Sequence, residues 1–236
     1  MLLYYITDRS QFAGDEKTRR ERLLTKIAEA ARAGVDYIQL RERDLSIRDL
    51  ELLAREAVNA IRAVREDSSS DELTILGNRR TQLLLNSRSD VAMATGVDGV
   101  HLRSDDIAAS EARVIWNRAS SDFVLAVSCH TAVEVRMAES QGADFAVFAP
   151  VFEKTTAPRR QGSGLEALRE ACTGATAATN VEGAVDAGRM PVLALGGVTL
   201  ENARSCLQAG AAGIAAIRLF QDADVMETVL ELRAME

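Results

Sequence analysis

Side chains that could do chemistry follow several short apolar runs of this chain, at the point where each run ends. Most are arginines, amides and hydroxyl residues, and one is a histidine. Arginine forks match the oxygens of a phosphate group, and a histidine can take and give a proton near neutral pH. The set predicts a site for a small phosphorylated molecule, with His130 as the candidate proton carrier. Its members are Gln39, Arg41, Arg43, Asn86, Arg88, Ser128, His130, Thr155, Thr156 and Arg218.

A glycine pair, Gly196–Gly197, completes this set. It follows the apolar run Val192 to Leu195 and precedes the segment VTLEN, in which Thr199 is a candidate helix N-cap. Backbone N–H groups of such a turn can approach phosphate oxygens closely, which favours phosphate binding. A tight turn without a ligand is the alternative that the pair alone leaves open.

Metal and nucleophile chemistry have weaker support in the sequence. Asp106, with Asp105 as a further candidate, could hold Mg²⁺ through carboxylate oxygens, although an acidic pair before a helix is also a common cap. No set of histidine, cysteine and carboxylate residues has metalloenzyme spacing, and no Ser-His-Asp arrangement is evident. The three cysteines are interpreted as buried thiols, and His101, inside the run VHL, is expected to be structural.

Four similar segments place these residues on a repeating framework. Each ends a helical pattern with glycine, continues with one or two small or acidic residues and then gives a short apolar strand. They are ARAGVDYIQL, MATGVDGVHL, ESQGADFAVF and LQAGAAGIAAI. Four further strand candidates lie between them: Leu2 to Thr7, Gln82 to Asn86, Val124 to Ser128 and Val192 to Leu195. Amphipathic helical patterns separate the strands, for example 20–33 and 45–64.

Eight short apolar strands that alternate with helices predict a single (β/α)8 barrel, the TIM-barrel fold of the α/β class. A doubly wound sheet is less favoured, because it usually has fewer strands. We expect one domain over residues 1–236, with insertions at about 67–80 and 173–189. In such barrels the active site lies at the carboxyl ends of the strands, which is where the candidate residues fall.

Composition and charge exclude several classes of function. The formal net charge of −7 argues against a general nucleic-acid binder, which normally carries a basic surface. No run of about 18 apolar residues predicts a membrane span, and the segment MLLYYITDRS lacks the features of a signal peptide. We therefore expect a cytoplasmic protein with no nucleic-acid or membrane partner. A homo-oligomer stays open, since small barrels often self-associate.

The quoted segments resemble those of the thiamine phosphate synthase/TenI family over nearly the whole chain. The matching phrases are YYITDR, YIQLRER, LLLNSRSDVAMATGVDGVHL, VSCHT, GADFAVFAPVFEKTT and PVLALGGVTLENARSCLQAGAAGIAAI. Synthases of this family use Mg²⁺ to join a pyrimidine pyrophosphate to a thiazole phosphate, releasing pyrophosphate. The resemblance implies pyrophosphate binding by Gln39, Arg41 and Arg43, pyrimidine contact by Asn86, Mg²⁺ coordination by Asp106, substrate contacts by Ser128 and Thr156, and phosphate binding by Gly197.

The chain departs from the synthase pattern at several of these positions. The usual Asn-Asp-Arg after the third strand is Asn86-Ser87-Arg88 here, so one expected magnesium ligand is replaced. The lysine expected after the sixth strand is Ala157, the lysine of the QLRxK phrase is Arg43, and the serine that closes the eighth strand is Arg218. Loss of a carboxylate should weaken a magnesium site, because Mg²⁺ requires near-octahedral oxygen coordination.

Three functions follow from the resemblance. TenI-like members, the thiazole tautomerases, shift a proton within a carboxythiazole phosphate, so they tolerate the replacements at Ser87 and Ala157 and need no cofactor. The sequence favours this branch, with His130 moving the proton. The alternative is a genuine synthase that uses Mg²⁺ and also takes the pyrimidine pyrophosphate. A non-catalytic binder of thiamine-pathway phosphates is the third hypothesis.

Overall fold

A computed structural model of the protein describes residues 1–67, 80–116, 123–153, 162–173 and 189–235. Its eight strands follow one another in sequence order around a closed barrel. They are β1 Leu2–Ile6, β2 Tyr37–Leu40, β3 Gln82–Asn86, β4 Gly99–Leu102, β5 Val124–Cys129, β6 Phe145–Phe148, β7 Val192–Leu195 and β8 Gly213–Ala216. The predicted (β/α)8 barrel is therefore confirmed.

Helices alternate with these strands. In the described residues they are α1 Glu16–Arg32, α2 Ile47–Asp67, α3 Ser89–Thr95, α4 Ala109–Trp116, α5 Ala132–Ser140, α6 Gly164–Thr173, α7 Leu200–Gln208, α8 Arg218–Gln221 and α9 Val225–Arg233. A 3-10 helix, Arg9–Gln11, follows β1. Within the described ranges, no helix combines the length and apolar character that crossing a membrane requires. The two expected insertions lie mostly outside the described residues.

By their internal contacts the residues form two compact units, Met1–His101 with Ala216–Glu236, and Leu102–Ala215. In the first unit, parallel pairing runs from β1 through β2 and β3 to β4. In the second unit, it runs from β5 through β6 and β7 to β8. All four residues of β4, β6 and β8 are buried, as expected for strands of a parallel sheet that is covered on both faces. The single domain stays a prediction.

In three of the four recurrent segments, the residue two positions after the glycine is an aspartate. It forms a hydrogen bond with the backbone near the start of the neighbouring strand. Its carboxylate accepts a backbone N–H of that strand and also pairs with an arginine. The contacts are Asp36 with Leu3 at 2.7 Å and with Arg233, Asp98 with Leu83 at 2.8 Å and with Arg80, and Asp144 with Leu125 at 2.6 Å and with Arg113. These bonds help to fix strand register. The fourth segment has Ala212 at this position.

The glycines of these segments adopt left-handed backbone conformations. Their φ angles are 80° at Gly34, 73° at Gly96, 82° at Gly142 and 100° at Gly210. Glycine adopts such angles without the steric cost of a Cβ atom. The structure therefore confirms that these glycines end helices and turn the chain towards the next strand.

The interior of the first unit contains an uncharged histidine. His101 on β4 is 2% exposed, and its Nδ1 atom lies 3.0 Å from Tyr4 Oη. Burial, with a smaller contribution from the Arg41 cation, lowers the pKa of His101 to about 3. The ring is therefore neutral at pH 7, which agrees with the structural role expected for it.

Two of the three cysteines, Cys129 and Cys206, are buried, and Cys172 is half-buried. Burial is the main cause that raises the pKa of Cys129 to about 12 and that of Cys172 and Cys206 to about 11. Such thiols are protonated at neutral pH and are weak nucleophiles. The structure thus confirms the expected burial of Cys129 and Cys206, whereas Cys172 is less buried than expected.

Candidate functional site

In the first unit, two side-chain amides meet at the ends of β2 and β3. Gln39 Nε2 donates to Asn86 Oδ1 at 3.0 Å, and Asn86 Nδ2 donates to Ser87 Oγ at 3.2 Å. Ser87 has a φ of 62° and is the one non-glycine residue with a positive φ in the described part of the chain. Such a conformation is uncommon for serine and often marks a functional position. The structure thus brings together two predicted site residues and the residue that replaces the expected magnesium ligand.

Arg9, which follows β1, forms ion pairs with three carboxylates. Arg9 is 4% exposed, and its guanidinium pairs with Glu16 at 2.7 Å, Glu42 at 3.1 Å and Asp44 at 2.7 Å. The hydrogen bond with Arg9 is the main cause that lowers the pKa of Asp44. Burial raises the pKa of Glu42, although hydrogen bonds from Thr7 and Arg9 oppose this effect. Arg9 therefore has a structural role in the described chain, despite lying at the end of a strand.

The four predicted site arginines differ in how they are held. Arg41 directly follows β2 and is half-buried, whereas Arg43 is exposed. Arg88 Nε donates to Asp90 Oδ1 at 2.8 Å in an ion pair at the start of α3. Arg218 is exposed and is the first residue of α8, the short helix after β8. Phosphate binding by these arginines stays a prediction.

In the second unit, a backbone carbonyl holds the ring of His130. This exposed residue directly follows β5, and its Nδ1 atom lies 2.6 Å from Ala149 O. A carbonyl oxygen can only accept a hydrogen bond, so Nδ1 carries the proton and the neutral ring can accept a further proton at Nε2. The backbone N–H of His130 donates to the Glu134 carboxylate, and the Thr131 side chain caps α5. The local structure therefore orients a ring whose Nε2 can act as a base.

The segment that holds this ring also packs against the predicted glycine pair. Residues 149–153 follow β6 and include a cis peptide bond before Pro150. A Cβ atom on Gly196 would lie 2.8 Å from Pro150 Cα, and one on Gly197 would lie 2.8 Å from Phe152 Cβ. The φ angles of these glycines are 100° and 65°. Packing and backbone conformation therefore both require glycine here, whether or not a phosphate binds.

The turn after the glycine pair leads into α7 as the sequence predicts. Thr199 immediately precedes the helix, and its backbone N–H donates to Asn202 Oδ1 at 2.9 Å. The other end of the same amide, Asn202 Nδ2, donates to Gly197 O at 3.0 Å. Segment 149–153 thus contacts His130 at its first residue and the glycine pair at later ones, so these predicted residues form one cluster. Ser128, near the end of β5, is half-buried.

The predicted magnesium ligands are engaged in local bonds. Asp106 Oδ2 accepts the backbone N–H of Arg103 at 2.7 Å, and Asp105 forms an ion pair with the Arg103 guanidinium. The Arg103 hydrogen bond is the main cause that lowers the pKa of Asp105. Among the described residues, no group of three histidine, cysteine or acidic residues is arranged to hold a metal ion. Asp105 and Asp106 therefore fit Mg²⁺ poorly. One carboxylate is paired with arginine and the other accepts a backbone N–H, so together they supply few of the oxygen ligands that the ion requires.

Two predicted residues, Thr155 and Thr156, lie outside the described residues. The same is true of Ala157. Their roles stay predictions.

Two features of the site were not predicted from the sequence. One is the Ala149 carbonyl that fixes the His130 ring, and the other is the buried Glu42. A proline directly after the apolar run of β6 could have indicated a constrained backbone at 149–150. Glu42 lies between two arginines of the RER phrase, and this sequence context carries no signal of burial.

The chain is similar to known proteins over nearly its whole length. Residues 3–220 match the family model described as Thiamine monophosphate synthase. The chain is 35% identical over 235 residues to "Putative thiamine-phosphate synthase" of Geobacter sulfurreducens, covering 99% of this chain and 93% of that protein. It is 32% identical over 233 residues to "Thiamine-phosphate synthase" of Methanoculleus marisnigri, covering 98% and 93%.

Solved structures also resemble the chain. Thiamine phosphate pyrophosphorylase from Pyrococcus furiosus superposes with a TM-score of 0.72 at 26% identity, covering 99% of this chain and 94% of that one. A 3-hexulose-6-phosphate synthase superposes with a TM-score of 0.57 at 18% identity, covering 99% and 97%. The second likeness shows the fold alone.

Proposed function

Because the chain belongs to the thiamine monophosphate synthase family, we propose that it shifts a proton within a carboxythiazole phosphate, as TenI-like tautomerases do. It is an enzyme of the thiamine phosphate synthase/TenI superfamily, and the proposal concerns its reaction and its substrate. The reaction is an isomerisation, so it needs neither a second substrate nor a leaving group. Its place in metabolism is thiamine biosynthesis.

The contact between His130 Nδ1 and Ala149 O is the observation that carries this proposal. In the neutral ring this contact places the proton on Nδ1, which leaves Nε2 to accept a proton. Nε2 takes a proton from one position of the thiazole ring system, and the imidazolium returns it at another position of the same molecule. The histidine ends the cycle neutral, and no atom is gained or lost. General acid–base catalysis of this kind contributes about 10²–10⁴-fold to a rate.

The glycine pair gives this histidine a neighbouring place for the phosphate of the substrate. Gly196 and Gly197 pack on the segment that also holds the His130 ring. The absence of side chains there lets main-chain N–H groups approach phosphate oxygens. A phosphate ester bound at this turn would anchor the substrate while its ring meets Nε2. Binding energy at the phosphate would thereby support the proton shift.

The residues at the expected magnesium-ligand positions also support a proton shift over group transfer. Departure of pyrophosphate develops negative charge that a metal ion normally stabilises. Ser87 is neutral, and the candidate ligand Asp106 already accepts a backbone hydrogen bond. An isomerisation does not expel a charged group, so it does not require these ligands.

A genuine synthase is the second candidate, and one observation favours it. The Gln39–Asn86 hydrogen bond brings together two residues to which the resemblance assigns pyrophosphate and pyrimidine contacts. The relatives from Geobacter sulfurreducens and Methanoculleus marisnigri are also named as synthases. This activity would take a pyrimidine pyrophosphate as second substrate and Mg²⁺ as cofactor.

Two assays on the purified full chain separate these candidates. In the first, the carboxythiazole phosphate tautomer is supplied, and its aromatisation is followed by ultraviolet absorbance. In the second, pyrimidine pyrophosphate and thiazole phosphate are supplied with and without Mg²⁺, and thiamine phosphate is measured. We expect turnover in the first assay and no product in the second, under conditions in which an authentic synthase works. Product formation only in the second assay, and only with Mg²⁺, would overturn the proposal.

Calorimetry with thiazole phosphate tests the third hypothesis, that the chain binds thiamine-pathway phosphates without catalysis. Binding without turnover in either assay would identify a binder of thiamine-pathway phosphates and would contradict an isomerase. The oligomeric state and the cytoplasmic location stay predictions.

A further inference from the structure

The buried carboxylate of Glu42 holds the ends of β1 and β2 together. Its side chain is 2% exposed. Thr7 Oγ1 donates to Oε1 at 2.6 Å, while Arg9 donates to Oε2 from its backbone N at 3.0 Å and from Nη1 at 3.1 Å. Removing a carboxylate from water is costly, and these bonds offset part of that cost. Such an arrangement fixes the positions of all the groups that donate to it.

Thr7 connects the Glu42 carboxylate to the main chain of Arg41 through hydrogen bonds. The Thr7 hydroxyl has one proton, which it donates to Glu42, so its oxygen lone pair can accept the backbone N–H of Arg41 at 3.0 Å. The backbone N–H of Thr7 also donates to Gln39 O at 3.0 Å. Bonds to Thr7 and Arg9 thus restrain the chain before, at and after Arg41. Thr7 itself is completely buried, so water cannot readily replace it in these bonds.

The two predicted arginines that follow β2 differ in exposure, and Arg41 is the less exposed of them. It is half-buried, and its cation contributes to the lowered pKa of His101, a buried residue of β4. Arg43, two residues later, is exposed. The restrained backbone therefore belongs to the less exposed of these two arginines.

We propose that Glu42 is a positioning residue that acts through Thr7 to fix the Arg41 main chain and thereby the point at which the Arg41 guanidinium meets a phosphate group. Rigid support of this kind matters because a small misplacement of a binding group removes much of its effect. The inference goes beyond the proposed function, which assigns the single phosphate of the carboxythiazole to the glycine pair. It rests on the pyrophosphate contact that the family resemblance implies for Arg41.

Binding of inorganic phosphate to the full chain, measured by calorimetry, tests this role without turnover. Thr7→Val keeps the shape of the side chain but removes the hydroxyl, and we expect about tenfold weaker binding. Thr7→Ser retains the hydroxyl and should restore affinity to nearly the wild-type value. Thr25→Val is the matched control, because Thr25 bonds only within α1, to Glu21 O at 3.0 Å, among the described contacts. It should bind phosphate as the wild type does.

A double-mutant cycle separates positioning from a general effect on the fold. If Thr7 acts through Arg41, the Thr7→Val change should have no further effect on phosphate binding in an Arg41→Ala background. Equal losses in both backgrounds, or wild-type binding by Thr7→Val, would overturn the inference. So would phosphate binding that Arg41→Ala leaves unchanged.

Glu42→Gln gives a second measurement of the same role. It keeps the size of the side chain but removes the charge that attracts three donors, and we expect weaker phosphate binding than in the wild type. If this variant does not fold, the milder Thr7→Val variant still decides the question.

The positioning role and the proposed function can fail separately. If the wild-type chain does not aromatise the thiazole but the Thr7–Arg41 coupling is observed, the proposed function alone is refuted. Loss of the coupling with aromatisation intact would refute the positioning role alone.

Discussion

The starts and the ends of the strands use their polar side chains differently. At the starts, Asp36, Asp98 and Asp144 bind backbone N–H groups and arginines, so their hydrogen-bonding capacity is used within the chain. At the ends, His130 is held through Nδ1 alone among the described ring contacts, and its Nε2 can still accept a proton. The difference matches the division in TIM barrels between an end that stabilises the fold and an end that carries chemistry.

Arg9 shows that this division does not hold for every residue. It follows β1, at the end where ligand contacts are expected, yet it is buried among three carboxylates. Its contacts resemble those of Arg233, which pairs with Asp36 at the start of β2. A position at the end of a strand is therefore insufficient to identify a ligand contact, and the partners of the side chain must also be known.

The largest effect on stability is expected at the glycine pair. An alanine at 196 would have a φ near 100° and a Cβ atom 2.8 Å from the Pro150 backbone, so Gly196→Ala should lower the free energy of unfolding by about 3 kcal/mol or more. Gly142→Ala is the matched control, because φ is 82° there but no atom lies within 4 Å. It should cost about 1 kcal/mol. Equal costs in urea denaturation would show that segment 149–153 does not constrain this strand end.

The next effect concerns the strand starts. Asp36→Ala leaves the buried Leu3 N–H and the Arg233 guanidinium without their acceptor, so we expect a loss of about 2 kcal/mol in the free energy of unfolding. Asp98→Ala and Asp144→Ala should cost progressively less, since the exposed fractions of the three side chains are 10%, 19% and 45%. The rate of aromatisation at saturating substrate should stay unchanged in all three variants. A lower rate in a fully folded variant would break the division between the two ends.

The buried His101, unlike the exposed His130, should make the free energy of unfolding depend on pH. The folded pKa of His101 is lowered to about 3, so its contribution to stability is fully present above 6.5 and is lost as the pH falls towards 3. Between pH 6.5 and 5 the loss should be about 2 kcal/mol. Denaturation of His101→Gln at both pH values should remove this part of the slope, whereas His130→Asn should retain it. An unchanged slope in His101→Gln would show that the buried ring is not the source.

The smallest effect is expected for an ion pair away from the strands. Arg169 and Glu166 lie on α6 with 48% and 88% of their side chains exposed. Arg169→Ala should therefore change the free energy of unfolding by about 0.5 kcal/mol or less. Arg113→Ala should cost more, because Arg113 also donates to two backbone carbonyls at a strand start. If both variants lose the same stability, the arginines at the strand starts have no special role.

Most of the fold could be predicted from the sequence because its signals are local. Four recurrent segments with glycine and four apolar runs between them predicted the eight strands, and the bounds of β3 and β7 are those predicted. The structure ends β1 at Ile6, one residue before the predicted Thr7, although the backbone N–H of Thr7 still donates to Gln39 O of β2. The pairing of β5 extends to Cys129, which faces Phe148 of β6 in the register.

The site was predicted less completely, because its geometry depends on contacts that are distant in sequence. Glu42 bonds Thr7 and Arg9 across more than thirty residues, and Ala149 bonds His130 across 19. No local pattern encodes such pairs. The residue types were nevertheless informative, since Gln39, Asn86, His130 and the two glycines were all singled out from the sequence. Segment 149–153, which contacts the last three, was not.

The rate of thiazole aromatisation in His130→Asn tests the central claim most directly. Asparagine can still donate an N–H to Ala149 O, but it has no nitrogen that accepts a proton. We expect a fall of about 10²–10⁴-fold with an unchanged free energy of unfolding, while Met137→Ala, an exposed change on α5, should keep the wild-type rate. A wild-type rate in His130→Asn would contradict the account.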